Sequence, residues 1–250
     1  MKIKLLGRGD LLEVCRSVLS SHEIVESGQD LIVLANHDKI LKREDYDCRY
    51  GAINCHRGRL PQYRGSSVLN WQIINGEIKG GVSIIQVDEG IDTGDILGEG
   101  IFDILLTDTI KEVREKAHLY IHELLPRIVM KIRNGTMKPL KQSNVAAQPV
   151  YWHHRKPEDS RIFWDQMTAL QVYNLVRASE SPYEAFCFSG DSYDFEKRHL
   201  HFISKSKLLN DNFGGVAGRV VRHLDNGSVV ICKDRGVWVN IDVPIGEQLW

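Results

Sequence analysis

Asn54, His56 and Asp92 are the polar residues of this chain whose types and spacing could do chemistry together. Asn54 and His56 alternate at the end of an apolar segment (Ala52, Ile53), and alternate residues of a strand point to one side. Asp92 lies in a glycine-bounded loop, Gly90-Ile91-Asp92-Thr93-Gly94, after the strand-like run Val82 to Val87. A carboxamide, an imidazole and a carboxylate are therefore expected to meet at the ends of neighbouring strands, where ligands bind in open α/β sheets.

That set suits transfer to or from a carbonyl. Asn54 would donate to a developing oxyanion, His56 would donate to it or move a proton, and Asp92 would fix the imidazole. Ser66, Ser67 and Cys55 are near in sequence, but none sits in a GxSxG elbow, so direct attack by a substrate group is the simpler chemistry. The plainer alternatives are a core histidine in an apolar strand and a carboxylate-rich turn that imitates a calcium loop without its closing glutamate. Cys55 is expected to be a small buried filler between the two polar side chains.

The elements that must position these residues read as α/β. Met1 to Gly7 is a first strand, followed by a helix carrying Leu11, Leu12, Val14, Cys15, Val18 and Leu19. The intervening Gly7-Arg8-Gly9-Asp10-Leu11-Leu12 begins like GxGxxG but ends on Leu12, which argues against dinucleotide binding. His22 to Glu26 reads as a short strand, and the continuous apolar run Asp30 to Ala35 as a parallel strand buried on both faces. Ser67 opens a helix that closes at Asn75-Gly76, and Ile96 to Ile104 is a further strand. Thr107 is expected to cap a long helix with apolar positions from Ile110 to Ile132 and a kink at Pro126. His118 and His122 stand one turn apart on it, but no third ligand is indicated, so a solvated flank is expected and no metal site.

Net charge is -1, from 32 basic and 33 acidic side chains, which supplies no general attraction to nucleic acid or anionic membrane. The 5 cysteines form no CxxC pair, as suits reduced thiols in a cytoplasm. No apolar run is long enough to span a bilayer and the N-terminus has no signal-peptide core, so a cytoplasmic protein is expected.

The run Asn54-x-His56, Leu60-Pro61-x-Tyr63-Arg64-Gly65, Trp71, Asn75-Gly76, Gly81-Val82 and Asp88-Glu89-Gly90-x-Asp92-x-Gly94-Asp95 resembles the signature of the 10-formyltetrahydrofolate-dependent formyltransferases. The resemblance implies that Asn54, His56 and Asp92 are the catalytic residues and that 10-formyltetrahydrofolate is the co-substrate. It implies a folate pterin held by the backbone of the segment Asn36 to Leu41, Lys39 and Leu41 among it, paired with the loop around Asp88, Glu89 and Gly90. One departure is visible: the family commonly has Ser-Leu-Leu-Pro after its histidine, where this chain has Arg57-Gly58-Arg59-Leu60-Pro61.

The same resemblance gives a fold class: a shortened Rossmann-like catalytic domain (1–150), a helical connecting segment (151–205) and a small OB-like β subdomain (206–250). The connecting segment carries Arg155-Lys156-Pro157-Glu158-Asp159-Ser160-Arg161, and the β unit is split by Asn226-Gly227 and Asp234-Arg235-Gly236. Trp238 reads as the lone aromatic of the β-rich stretch, so a scaffolding or homodimer role is expected there rather than nucleic-acid binding.

Among family members, the sugar-nucleotide N-formyltransferases resemble this chain in length and tail. They imply an acceptor that is the amine of a nucleotide-linked dideoxyamino sugar for surface polysaccharides. Arg57, Tyr63 and Arg64, beside the catalytic pair, are the candidates for holding its diphosphate, since guanidiniums bind phosphate through forked hydrogen bonds. Methionyl-tRNA formyltransferase and a formyltetrahydrofolate hydrolase are the alternatives.

Overall fold

Burial on both faces fixes where the chain's central strand lies. In the computed structural model, which describes residues 1–190 and 197–250, the run Leu31–Ala35 (β3) is buried at every position. Each of its Leu, Ile and Val side chains contributes roughly 1.5–3 kcal/mol when removed from water. On its flanks lie β1 (Lys2–Gly7), paired in parallel with β2 (Glu23–Ile24), and β4 (Ala52–His56), also parallel to β3. The helix α1 (Gly9–Val18) follows β1 and buries Leu11 and Cys15.

Past β4 the chain makes the two-residue β5 (Arg64–Gly65) and the helix α2 (Val68–Ile74), which ends at Gly76 with φ +73°. β6 (Lys79–Gln86) and β7 (Ile96–Asp103) complete a six-stranded sheet of order β2-β1-β3-β4-β6-β7. β6 runs antiparallel to β4, with Ile53 opposite Gln86 and His56 opposite Ser83. Asp92 follows the end of a strand neighbouring β4, as expected, but β6 ends beside the start of β4, so the loop after it reaches back toward Asn54.

The helix α3 (Ile110–Arg133) continues through Pro126. It starts three residues beyond Thr107, so Thr107 is not its cap. Gly98 and Gly100 of β7 let α3 approach closely: a Cβ there would come within 2.8 Å of Ile128 Cδ1 and 2.5 Å of Tyr120 Cδ1. His118 is not on a solvated flank; its side chain is mostly buried, with Nε2 3.7 Å from Asp10 Oδ2. After α3, β8 (Tyr151–Trp152) pairs in parallel with β5.

The chain divides into two units, the first made of residues 1–69, 78–106 and 111–154, the second of 70–77, 107–110 and 155–250. In the second unit, α4 (Ala169–Arg177) opens with a capping box in which Thr168 Oγ1 accepts from Gln171 N and Gln171 Oε1 accepts from Thr168 N. Its Val172, Leu175 and Val176 share a core with Trp164, Val220, Val230, Val237 and Val239. The strands here are the antiparallel pair β9 (Ala185–Gly190) and β10 (Arg198–Ile203), and a four-stranded sheet. That sheet joins β11 (Ser206–Leu208), β12 (Val220–Leu224), β13 (Gly227–Ile231) and β14 (Gly236–Val239) in the order β11-β14-β13-β12.

Trp238 is buried and is not the lone aromatic of this region. Phe188 stacks on Trp250 at 5.1 Å between ring centroids, Phe186 meets Phe188 edge-on, and the Arg198 guanidinium lies 4.3 Å from the Trp250 ring centre. Arg161 lies over Phe163, Phe188 and Trp250, while Leu200 and Phe202 of β10 are exposed. Counting aromatics only along the final strands overlooked a face built from β9, β10 and the last residue.

Candidate active site

Strand alternation puts Asn54 and His56 on the face of β4 opposite Cys55. Cys55 points instead to α1, its Sγ 3.8 Å from that of Cys15. It is therefore no filler between the two polar side chains. The hydrogen bond with Cys15, then burial, holds the Cys55 thiol pKa well above the ordinary range, which leaves it protonated.

Asp92 closes the constellation. Its Oδ1 accepts from Asn54 Nδ2 at 3.2 Å and lies 3.6 Å from His56 Nδ1, and its Oδ2 accepts from the backbone N–H of Gly65 at 2.8 Å. His56 Nε2 lies 2.5 Å from the carbonyl of Tyr63. A carbonyl only accepts, so Nε2 carries a hydrogen and Nδ1 is the nitrogen turned to the carboxylate. Each ring nitrogen thus faces an acceptor, an arrangement that fits the imidazolium as well as the neutral ring. His56 and Asp92 side chains are 7% and 10% exposed. Asn54 uses one amide hydrogen on Asp92, and the carboxamide has a second.

The loop between His56 and Gly65 is built on local bonds. Ser83 Oγ donates to the Gly58 carbonyl at 2.8 Å, Tyr63 N donates to Arg59 O, and Trp152 Nε1 donates to Gln62 O. Tyr63 is buried and stacked on Trp152, with ring centroids 5.6 Å apart. Arg64 donates from Nε and an Nη to Gln142 Oε1, and from its other Nη to the Tyr151 hydroxyl. Arg57 turns to Asp10 at the start of α1, with an Nη 3.3 Å from Oδ1. Burial lowers the Arg57 pKa and Asp10 opposes that shift. Of the acceptor candidates, Tyr63 and Arg64 border the trio while Arg57 turns to Asp10, and each is engaged with the protein itself.

Glu99 of β7 was not singled out from sequence; burial raises its carboxyl pKa, and the charge of Arg59 opposes that rise.

A cavity of about 590 Å³ opens beside the Asp92 loop, lined by Arg43 and Tyr46 on one side and by residues 86–90, Gly94 and Asp95 on the other. Asp88, Glu89 and Gly90 line it. Lys39 and Leu41 do not: Lys39 is exposed, and Leu41 packs against Ile32, Leu34, Tyr46 and Ala52. Sequence reasoning stopped short of Arg43 and Tyr46, which the short helical turn Arg43–Tyr46 brings to the wall. Asp88 Oδ1 accepts from Gly90 N and Thr93 Oγ1, which folds the loop on itself.

A family model described as Formyl transferase matches residues 19–129, and one described as Formyl transferase, C-terminal domain matches residues 155–244. The methionyl-tRNA formyltransferase of Clostridium botulinum (strain Alaska E43 / Type E3) is 30% identical over 229 residues, 91% of this chain and 71% of that protein. The chain belongs to the formyl transferase family. The methionyl-tRNA formyltransferase of Clostridium beijerinckii is 28% identical over 99% of this chain and 74% of that protein. Across the first four such relatives, the chain spans 56–74% of their length.

Among solved structures, WlaRD, described as a sugar 3N-formyl transferase in the presence of dTDP and 5-N-formyl-THF, superposes with a TM-score of 0.70 at 20% identity, over 96% of this chain and 97% of that one. An N-formyltransferase from Helicobacter canadensis, in complex with folinic acid and dTDP-3-aminofucose, gives 0.69 at 18% identity over 100% of both. These likenesses establish the α/β formyltransferase fold with its C-terminal unit. No helix among the described residues is long and apolar enough to cross a membrane.

Proposed function

We propose that this chain transfers the formyl group of 10-formyltetrahydrofolate to the primary amine of a nucleotide-linked dideoxyamino sugar. The observation that carries the transfer is the convergence of Asn54, His56 and Asp92 beside the cavity at the Asp88 loop. The donor's pteridine would enter that cavity, and the donor class is supported by the two folate-bound relatives described above.

The second amide hydrogen of Asn54 is available for the oxygen of the tetrahedral adduct. His56 Nδ1 takes the proton that the attacking amine sheds, and the resulting imidazolium sits between the Asp92 carboxylate and the Tyr63 carbonyl. The new N–C bond forms first and gives the adduct; the bond from the formyl carbon to folate N10 then breaks, and N10 takes the proton that His56 holds. Only an unprotonated amine attacks, so the rate rises with pH as the acceptor ammonium deprotonates.

The sugar acceptor is favoured because this chain contains counterparts of essentially the whole fold of two sugar N-formyltransferases. Arg57 and Arg59 lie on the loop beside His56, where a diphosphate would arrive, although Arg57 would first have to exchange Asp10 for it.

A second reading, formylation of a charged tRNA, is favoured by the names of the sequence relatives and by the arginine-and-aromatic face around Trp250. Such faces stack bases and pair phosphates. The deciding experiment supplies 10-formyltetrahydrofolate with dTDP-, UDP- and GDP-linked amino sugars and with charged methionyl-tRNA, and detects formylated product by mass spectrometry. Formylation of a sugar is the expected result; product on the tRNA alone would overturn the sugar reading. Tetrahydrofolate release without acceptor would mark a hydrolase.

A further inference from the structure

Gln142 is 6% exposed, in the short turn Gln142–Asn144, far along the chain from the site residues. Its side chain nevertheless ends at the Asp92 loop. Nε2 donates to the carbonyl of Asp92 and to that of Gly94, each at 2.8 Å. Oε1 accepts from Arg64 Nε at 3.1 Å and from an Arg64 Nη at 2.8 Å. Both amide hydrogens and both oxygen lone pairs are thereby used, and the guanidinium fork fixes which end of the amide faces the loop.

What the amide grips is an unfavourable conformation. Asp92 has φ +51°, in the left-handed region that a residue with a side chain enters only when its surroundings hold it there. Turning the peptide at Asp92 would swing its carboxylate away from Asn54 and His56. Gly65, next to Arg64, donates its N–H to that same carboxylate. One two-residue strand therefore acts on Asp92 from both ends, through Gly65 on the side chain and through Arg64 and Gln142 on the backbone.

We infer that Gln142, oriented by Arg64, is a positioning residue that holds the Asp92 carboxylate against Asn54 and His56. The inference rests on the proposed transfer only for its kinetic consequence; the geometric part stands apart from it. Gln142→Met keeps length and removes all four hydrogen bonds, whereas Gln142→Glu keeps acceptors for Arg64 and removes both donations to the loop. Both are expected to lower kcat tenfold to a hundredfold.

The test is a double-mutant cycle with Asp92→Asn under single-turnover conditions, run alongside 15N NMR of the His56 ring. A residue acting through Asp92 loses its effect once that carboxylate is gone, so Gln142→Met should cost no more than twofold in the Asp92→Asn background. A general packing role would cost the same factor in both backgrounds and would overturn the inference, as would full activity in both Gln142 variants. Should Gln142→Met fail to fold, Gln142→Glu carries the cycle. In the spectra, Gln142→Met and Asp92→Asn should move the His56 Nδ1 resonance in the same direction, and an unmoved resonance in a folded Gln142 variant would overturn the inference. If the wild-type protein transfers formyl to no acceptor, the proposed function falls while the spectra still decide the role of Gln142.

Discussion

Gly58 leaves room for His56: a Cβ at residue 58 would stand 2.8 Å from His56 Nε2 and 2.7 Å from the Tyr63 carbonyl that this nitrogen meets. The departure at Arg57-Gly58-Arg59 therefore reaches the imidazole itself.

Gly58→Ala is accordingly expected to push the ring off the Tyr63 carbonyl, because the crowding atoms are backbone and a ring nitrogen that little else can accommodate. Misplacement of a proton-handling group should lower kcat on the order of tenfold to a hundredfold, and overpacking should cost about 1–3 kcal/mol of stability. A folded Gly58→Ala protein with wild-type kcat would show that the ring has slack the distances do not suggest.

Replacing Asn54 or His56 with alanine removes a donor or a proton acceptor that strengthens in the transition state, so kcat should fall about a hundredfold or more. Folate affinity should stay nearly constant, because neither residue lines the cavity. Rapid-quench kinetics together with equilibrium titration of a non-transferable folate separates the two quantities; a loss confined to affinity would assign the pair to binding instead.

Thiol chemistry offers a check on packing. Burial pushes Cys187 and Cys232 up to about 12, and Cys15 and Cys55 are buried against each other. Cys48 alone of the 5 cysteines is partly exposed. Under native conditions near pH 8 a thiol reagent should modify that residue first, with the others following only on unfolding, as peptide mapping would show.

Burial lowers the pKa of His118; Asp10 opposes that shift, Arg57 and Arg114 add to it, and Glu115 opposes it more weakly. The unfolded chain therefore binds this proton more tightly than the native one. His118's contribution is complete above the unfolded value of about 6.5 and is lost as pH falls through the lower native value. Urea midpoints of wild type should drop on acidification below about pH 6.5, and His118→Gln should flatten that part of the slope. Equal slopes would place the acid sensitivity elsewhere.

Much of the site was legible because its chemistry follows short-range rules. Alternation put Asn54 and His56 on one face, and glycines framed the Asp92 loop. Element positions in the six-stranded sheet also follow from runs of apolar residues, whereas the two-residue β5 (Arg64–Gly65) has none. What the sequence hid depends on partners far along the chain. Nothing around Gln142 distinguishes a surface glutamine from one that holds a loop, and nothing in Arg64 says that its fork is already filled. The antiparallel turn of β6 was equally hidden, since a run of apolar residues has no direction. Arg43 and Tyr46 went unnoticed because a cavity wall made by a short helical turn has no periodicity to read.

The loop after His56 is strapped by residues 150–152, where Trp152 Nε1 reaches Gln62 across 90 positions and Arg64 reaches Gln142 across 78. During synthesis the six strands of the sheet are complete once Asp103 has emerged, yet the first strap waits for Gln142 and the second for Trp152, about forty and fifty residues later, roughly 2–10 s at ordinary ribosome speeds. A nascent chain at that stage would hold Asn54 and His56 on a formed strand with no fixed carboxylate opposite them. The timing of chain growth thus separates building the scaffold from arming it.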